Sequence, residues 1–203
     1  MFDAKARRVI DPPLNIIGKL LAQRGVRANW VTVSGLLCGL FAAYLVVLGY
    51  FLTALVFVVL NRLADGLDGA IARADKKTDL GGFLDILCDF VFYGALPLAF
   101  ALHNPVENAL ATAGLLFSFY LSGSSFLAFA VIAERKGVIT EVQGQKSLYY
   151  LSGLAEGGET IAVFLAFCLF PQYFVWLAWG FAGICLISSI GRVAQIVKLT
   201  GAD

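Results

Sequence analysis

The chain of 203 residues is 60% hydrophobic and only 14% charged, with a mean hydropathy of +0.83, which is far too apolar for a soluble domain of this length. Its 15 Lys and Arg nearly balance 14 Asp and Glu, for a net charge of +1, so the composition does not suggest a nucleic-acid binder. It reads as an all-α, polytopic integral membrane protein.

The first apolar run, residues 14–21, is short and broken by Asn15, Gly18 and Lys19, so no cleavable signal peptide is expected. Asp11 as a cap, Pro12 and Pro13 in the first turn, and Ile16, Ile17, Leu20 and Leu21 opposite Lys19 and Gln23 predict a short amphipathic helix lying on the membrane surface. Residues 1–29 form this interfacial segment, 30–198 a single transmembrane domain and 199–203 a tail.

Residues 28–61 carry no charge before Arg62, and as one helix they would reach about 51 Å against a hydrocarbon core of about 30 Å. The stretch must turn back, and Gly49 with Tyr50 is the expected turn. The same segmentation predicts six spans at 30–48, 51–73, 80–102, 109–133, 148–170 and 174–193. Every Lys and Arg falls in the N-terminal segment, the inner half of the second span, the connectors 74–79 and 134–147, or the C-terminal end. By the positive-inside rule both termini face the cytoplasm, as in a bacterial inner membrane. Anionic headgroups or phosphorylated substrates would suit that face. Cys38, Cys88, Cys168 and Cys185 sit singly in apolar spans without metal-site spacing, and His103 lies at the outer mouth beside Asn104 and Pro105.

Asp65, Asp68, Asp85 and Asp89 all fall inside the second and third spans. An ionisable side chain in the bilayer core costs roughly 2.5–3.5 kcal/mol or more, so four acids require partners. At 1.5 Å per residue, Asp65 and Asp68 lie about 12 and 8 Å from the inner end at Arg73, while Asp85 and Asp89 lie about 8 and 14 Å deep on the returning span. The short 74–79 connector predicts antiparallel neighbours, and the i,i+3 and i,i+4 spacings place the acids in one layer facing one site. Carboxylates are the ligands that hard cations prefer, and four of them match a two-metal site with Mg²⁺ or Mn²⁺ acting on phosphoryl oxygens. Arg73 is placed to take pyrophosphate oxygens, and Gly66, Gly69, Ala70, Gly81 and Gly82 permit close approach of helices or substrate.

Asp65-x2-Asp68-Gly69-x2-Ala72-Arg73, followed by Gly81-x3-Asp85-x3-Asp89, closely resembles the signature of the CDP-alcohol phosphatidyltransferases. Seven residues, 74–80, separate Arg73 from Gly81, one fewer than is most common in that family, which shortens the cytoplasmic turn. The resemblance implies six spans and transfer of a phosphatidyl group from CDP-diacylglycerol to a hydroxyl acceptor with release of CMP. It implies that Asp65, Asp68 and Asp85 hold metal, while Asp89 combines metal contact with deprotonation of the acceptor. Gly69 and Arg73, with Thr78 before Gly81 and Asn29-x2-Thr32 at the start of the first span, would contact the CDP-lipid; Asn29 reads equally well as a helix N-cap. A homodimer is implied by the same resemblance.

Outside the signature, Glu156 and Glu159 share a helix face, with Arg62 or Arg192 as partners in either an ion pair or an acceptor pocket. Lys146 and Arg192 are the candidate residues for holding an acceptor phosphate, and glycerol 3-phosphate, serine, inositol and inositol phosphate all remain open as acceptors. Two other readings compete. A membrane prenyltransferase also uses aspartate-bound magnesium, but does not call for the Gly69-x2-Ala72-Arg73 continuation. A divalent-cation transporter would need acids in the outer half as well, and would not place Arg73 at its mouth.

Overall fold

The computed structural model describes residues 2–135 and 157–201, whose regular structure is entirely helical. The helices are α1 (Phe2–Gln23), α2 (Ala28–Val47), α3 (Phe51–Ala74), α4 (Asp79–His103), α5 (Pro105–Arg135), α6 (Gly157–Leu169) and α7 (Phe174–Thr200), with a 3₁₀ turn at Pro171–Tyr173 leading into α7.

Among the described residues, four helical segments are long and apolar enough to cross a membrane: Ala28–Val47, Asp79–His103, Pro105–Ile132 and Pro171–Ala194. The helix α3 is 24 residues long but carries Arg62, Asp65, Asp68 and Arg73, while the described part of α6 is a shorter apolar helix of 13 residues.

Helices α2 and α3 meet at the expected turn. Gly49 adopts φ 82°, its N–H donates to Val46 O, and the Tyr50 N–H donates to Leu45 O, the paired closure that a left-handed residue after a helix permits. The α1 end closes in the same way at Gly25. At the opposite end of the bundle from the acids, His103 Nδ1 lies 3.2 Å from Val47 O and its ring meets Phe51 edge-on, joining three helix ends.

Three sequence expectations change. The first helix runs through Asp11, Pro12 and Pro13 instead of starting there. The helix formers Ala4, Lys5, Ala6, Arg7 and Arg8 continue it towards the N-terminus, at the cost of leaving the Arg8 and Val9 carbonyls without their usual donors. The fourth span starts at Pro105, not 109. Asn104 caps it, donating from Nδ2 to Glu107 Oε2 at 2.8 Å while its Oδ1 receives the Glu107 N–H at 3.5 Å. Finally, the backbones of α3 and α4 scarcely touch despite their short connector: α2 packs along both, and the space between them is left for the acids. The expected fifth span, 148–170, is described only from Gly157 onward.

The core is aromatic. Phe100 stacks on Phe174 with centroids 4.6 Å apart, Phe167 and Phe164 continue the cluster, and Phe92 brings it up to the level of the acids. Such rings bury large apolar area and pack in defined geometries, which makes this half of the bundle a rigid base for the site. On the site side α1 crosses α3 closely. A Cβ built on Gly18 would lie 2.6 Å from Ala70 Cβ, and one on Gly66 would lie 2.7 Å from a Leu14 methyl.

Candidate active site

The N-terminal ends of α2 and α4 and the C-terminal half of α3, together with α1 and α6, line a cavity of about 940 Å³. Asp65 and Asp68 reach it from α3 and Asp85 from α4, and Arg73 closes its rim. Asp65 and Asp68 share this face because they are three residues apart on α3, and Gly66 and Gly69 beside them present no side chain to fill the cavity.

Asp68 is the most buried of these acids, with the residue only 5% exposed, and its Oδ2 has no hydrogen-bond partner. A buried carboxylate oxygen left without a donor is costly, and a hard cation would satisfy it. The donor set therefore fits a divalent ion. Among the described residues, however, no three acids close into a ready-made metal cage. Two of the acids are engaged by Arg62, whose Nη2 donates to Asp89 Oδ1 at 3.0 Å and whose Nη1 lies 3.6 Å from Asp65 Oδ2. Asp89 stands one turn deeper on α4 than Asp85, against this guanidinium and off the cavity wall.

A second group of polar residues meets at the start of α4. Thr78 is its N-cap, and Thr78 Oγ1 accepts the Gly81 N–H at 3.1 Å. A Cβ on Gly81 would come within 3.3 Å of Asn29 Oδ1, so Asn29, Thr78 and Gly81 face one another across α2 and α4. Asn29 is not the cap of α2; Arg27 occupies that position without a side-chain hydrogen bond. Thr32, one turn on, is buried and donates to Ala28 O at 3.2 Å.

Of the residues singled out from sequence, Asn29, Thr32, Asp65, Asp68, Gly69, Arg73, Thr78 and Asp85 all line the cavity. Arg192 does not: it is buried between α5 and α7, its Nη1 donating to Ser122 O at 2.9 Å and Ser125 Oγ at 3.0 Å. Lys146 and Glu156 lie outside the described residues. Arg62, read from sequence as a partner for Glu156 or Glu159, instead bridges Asp65 and Asp89. The N-terminal helix also contributes, through Asp11 and Leu14 at the cavity and Asn15 against Arg73. Its sequence gave only an amphipathic pattern; nothing in that pattern says which neighbour the polar residues meet.

Comparison with known proteins places the chain in a family. Residues 26–190 match the model of the CDP-alcohol phosphatidyltransferase family. The chain is 45% identical over 193 residues to the inner membrane protein YnjF of Escherichia coli, covering 95% of this chain and 94% of that protein. It is 32% identical to an archaetidylinositol phosphate synthase of Pyrococcus horikoshii, over 82% of each chain. Its fold is similar to that of the Mycobacterium tuberculosis phosphatidylinositol phosphate synthase crystallised with CDP-DAG bound, with a TM-score of 0.69 and 22% identity over 91% of this chain and 93% of that one. With every signature residue except Asp89 on one cavity and the family model spanning most of the sequence, the chain belongs to the CDP-alcohol phosphatidyltransferase family.

Proposed function

We propose that this membrane enzyme transfers a phosphatidyl group from CDP-diacylglycerol to a hydroxyl of a small polar acceptor, releasing CMP. Family membership carries the reaction class, and the gathering of Asp65, Asp68, Asp85, Asn29, Thr32 and Arg73 on one cavity is the observation that supports its location.

In this reading Asp65, Asp68 and Asp85, with Asp89, hold the divalent cations that the family uses, here two ions of Mg²⁺ or Mn²⁺. When bound, such ions neutralise phosphoryl oxygens and stabilise charge developing during displacement. Asn29, Thr32, Gly69 and Thr78 receive the cytidine and ribose end, and Arg73 offers its guanidinium to the pyrophosphate. Asp89 accepts the proton of the acceptor hydroxyl. The acceptor oxygen bonds to the lipid-side phosphorus as that phosphorus releases the bridging oxygen of CMP. Asp89 must turn one oxygen to the acceptor while Arg62 retains the other.

For the acceptor we propose a phosphorylated polyol, with Lys146 and Arg192 as the candidates to hold its phosphate; Arg192, whose buried Nε has no partner, would have to leave Ser122 and Ser125 to reach the cavity. The similarity to an archaetidylinositol phosphate synthase makes inositol phosphate the first candidate. In this reading α3, which turns Arg62, Asp65, Asp68 and Arg73 to the cavity, and α6 complete a six-span topology, with α1 on the inner leaflet, both termini cytoplasmic and two chains per assembly. Purified protein supplied with CDP-diacylglycerol and Mg²⁺ or Mn²⁺ should release CMP only when the correct acceptor from a panel is added. CMP release independent of every acceptor would refute the transferase reading.

A further inference from the structure

Arg62 has no place in the family signature, yet it is the most densely connected polar side chain near the acids. It lies on α3 one turn before Asp65, its carbon Cζ sits 5.0 Å from the Phe92 ring centroid and 5.8 Å from that of Tyr93, and only 17% of its side chain is exposed. Nε donates to Asn61 Oδ1 at 2.8 Å, and Asn61 Nδ2 in turn donates to the buried carbonyl of Gly35 on α2 at 2.8 Å. Nη2 donates to Asp89 Oδ1 at 3.0 Å. A continuous chain of hydrogen bonds therefore runs from α2 through Asn61 and Arg62 to Asp89 on α4, across two helices whose backbones scarcely touch.

We infer that Arg62 is a positioning residue that fixes the Asp89 carboxylate for the acceptor hydroxyl, holding one oxygen through Nη2 and leaving the other free. The guanidinium itself is fixed on both sides, by aromatic faces and by Asn61, so it presents Nη2 in one direction. A flexible Asp89 facing Asp85 and Asp65 without this cation would be repelled by both and would lose its aim. The same contact places a positive charge beside Asp65, so Arg62 also opposes cation binding there.

This inference rests on the role proposed for Asp89, and its test separates the two. Arg62→Gln, Arg62→Lys and the parent are purified and compared for CMP release, for Mn²⁺ binding by electron paramagnetic resonance, and for thermal unfolding with Mn²⁺ present. The expected result for Arg62→Gln is a loss of kcat of tenfold or more, a KM for CDP-lipid within about threefold of the parent, and Mn²⁺ binding as tight as the parent or tighter. Arg62→Lys, which keeps the charge but not the Asn61 contact, should retain more kcat than Arg62→Gln. A kcat within twofold of the parent for Arg62→Gln would overturn the inference. Parallel loss of activity, Mn²⁺ affinity and thermal stability in both variants would also overturn it, by making Arg62 purely a structural tie. A parent that binds Mn²⁺ but releases no CMP would instead refute the reaction proposed for the site, whereas the Mn²⁺ comparison between Arg62→Gln and parent still reports on the charge that Arg62 sets against Asp65.

Discussion

Arg73 donates from both Nε and Nη2, at 3.3 and 2.9 Å, to the single Oδ1 of Asn15, tying the N-terminal helix to the last turn of α3 at the rim of the cavity. A forked donor held at two nitrogens keeps its remaining Nη1 directed, and Nη1 is the nitrogen that lies close to Gly69.

Asn15→Ala should therefore weaken CDP-lipid binding without impairing the chemical step. Losing a hydrogen bond to a charged group costs ~1.5–3 kcal/mol, and exposure reduces this, so the expected change is a KM increase of roughly three- to tenfold with kcat nearly unchanged. Asn15→Asp retains an acceptor for the guanidinium and should restore the parent KM. Steady-state kinetics with varied CDP-lipid checks both.

Close packing of α1 on α3 is a separate matter from that hydrogen bond. A Cβ at residue 18 would lie 2.6 Å from Ala70 Cβ and 2.9 Å from the Ala70 carbonyl carbon, with backbone on one side and no flexible side chain to yield. Gly18→Val should lift α1 from α3 and destabilise the protein by ~1–3 kcal/mol, read as a lower midpoint of thermal unfolding in detergent. An unchanged midpoint would mean that α1 is not docked at this point.

Asp68→Asn should cost more metal affinity than Asp65→Asn. The orphaned Asp68 Oδ2 has no competing partner, whereas Asp65 already has Arg62 at 3.6 Å. Mn²⁺ titration of the two variants is expected to show at least a tenfold weaker site for Asp68→Asn and a smaller change for Asp65→Asn.

The limits of reading this fold from sequence are visible in particular residues. Charge-free length and the Gly49 turn placed α2 and α3 to within two residues at each end, because hydrophobic length is dictated by the bilayer and a left-handed turn by glycine. The start of α5 was also encoded, in Asn104 as cap, Pro105 at the first position and Glu107 two residues later, but the same residues read as an outer loop. Helical spacing put the four acids on facing sides with Arg73 at their edge, and the resemblance brought in Asn29, Thr32 and Thr78. What spacing alone left open was the third dimension: that α2 packs along both α3 and α4, that Asn15 meets Arg73, and that Arg62 turns to Asp89. Those contacts join residues far apart in the chain, and one amphipathic pattern is compatible with many such pairings.

Asn61 illustrates how such a hidden contact matters. It is buried, donates to Gly35 O and accepts from Arg62 Nε, so Asn61→Leu leaves a carbonyl and a guanidinium nitrogen without their partner. A destabilisation of ~1–3 kcal/mol is expected from the unmade bonds, together with a loss of kcat resembling that of Arg62→Gln. Thermal unfolding and single-turnover rates measure the two effects separately.

The most direct measurement follows both products of one turnover: CMP and the new phospholipid, quantified together from CDP-diacylglycerol, a divalent cation and an acceptor panel, for the parent and for Asp89→Asn. Phosphatidyl transfer predicts equal amounts of CMP and of a lipid carrying the acceptor, both lost by at least a hundredfold in Asp89→Asn while Mn²⁺ still binds. CMP without an acceptor-bearing lipid, or an Asp89→Asn variant as active as the parent, would contradict it.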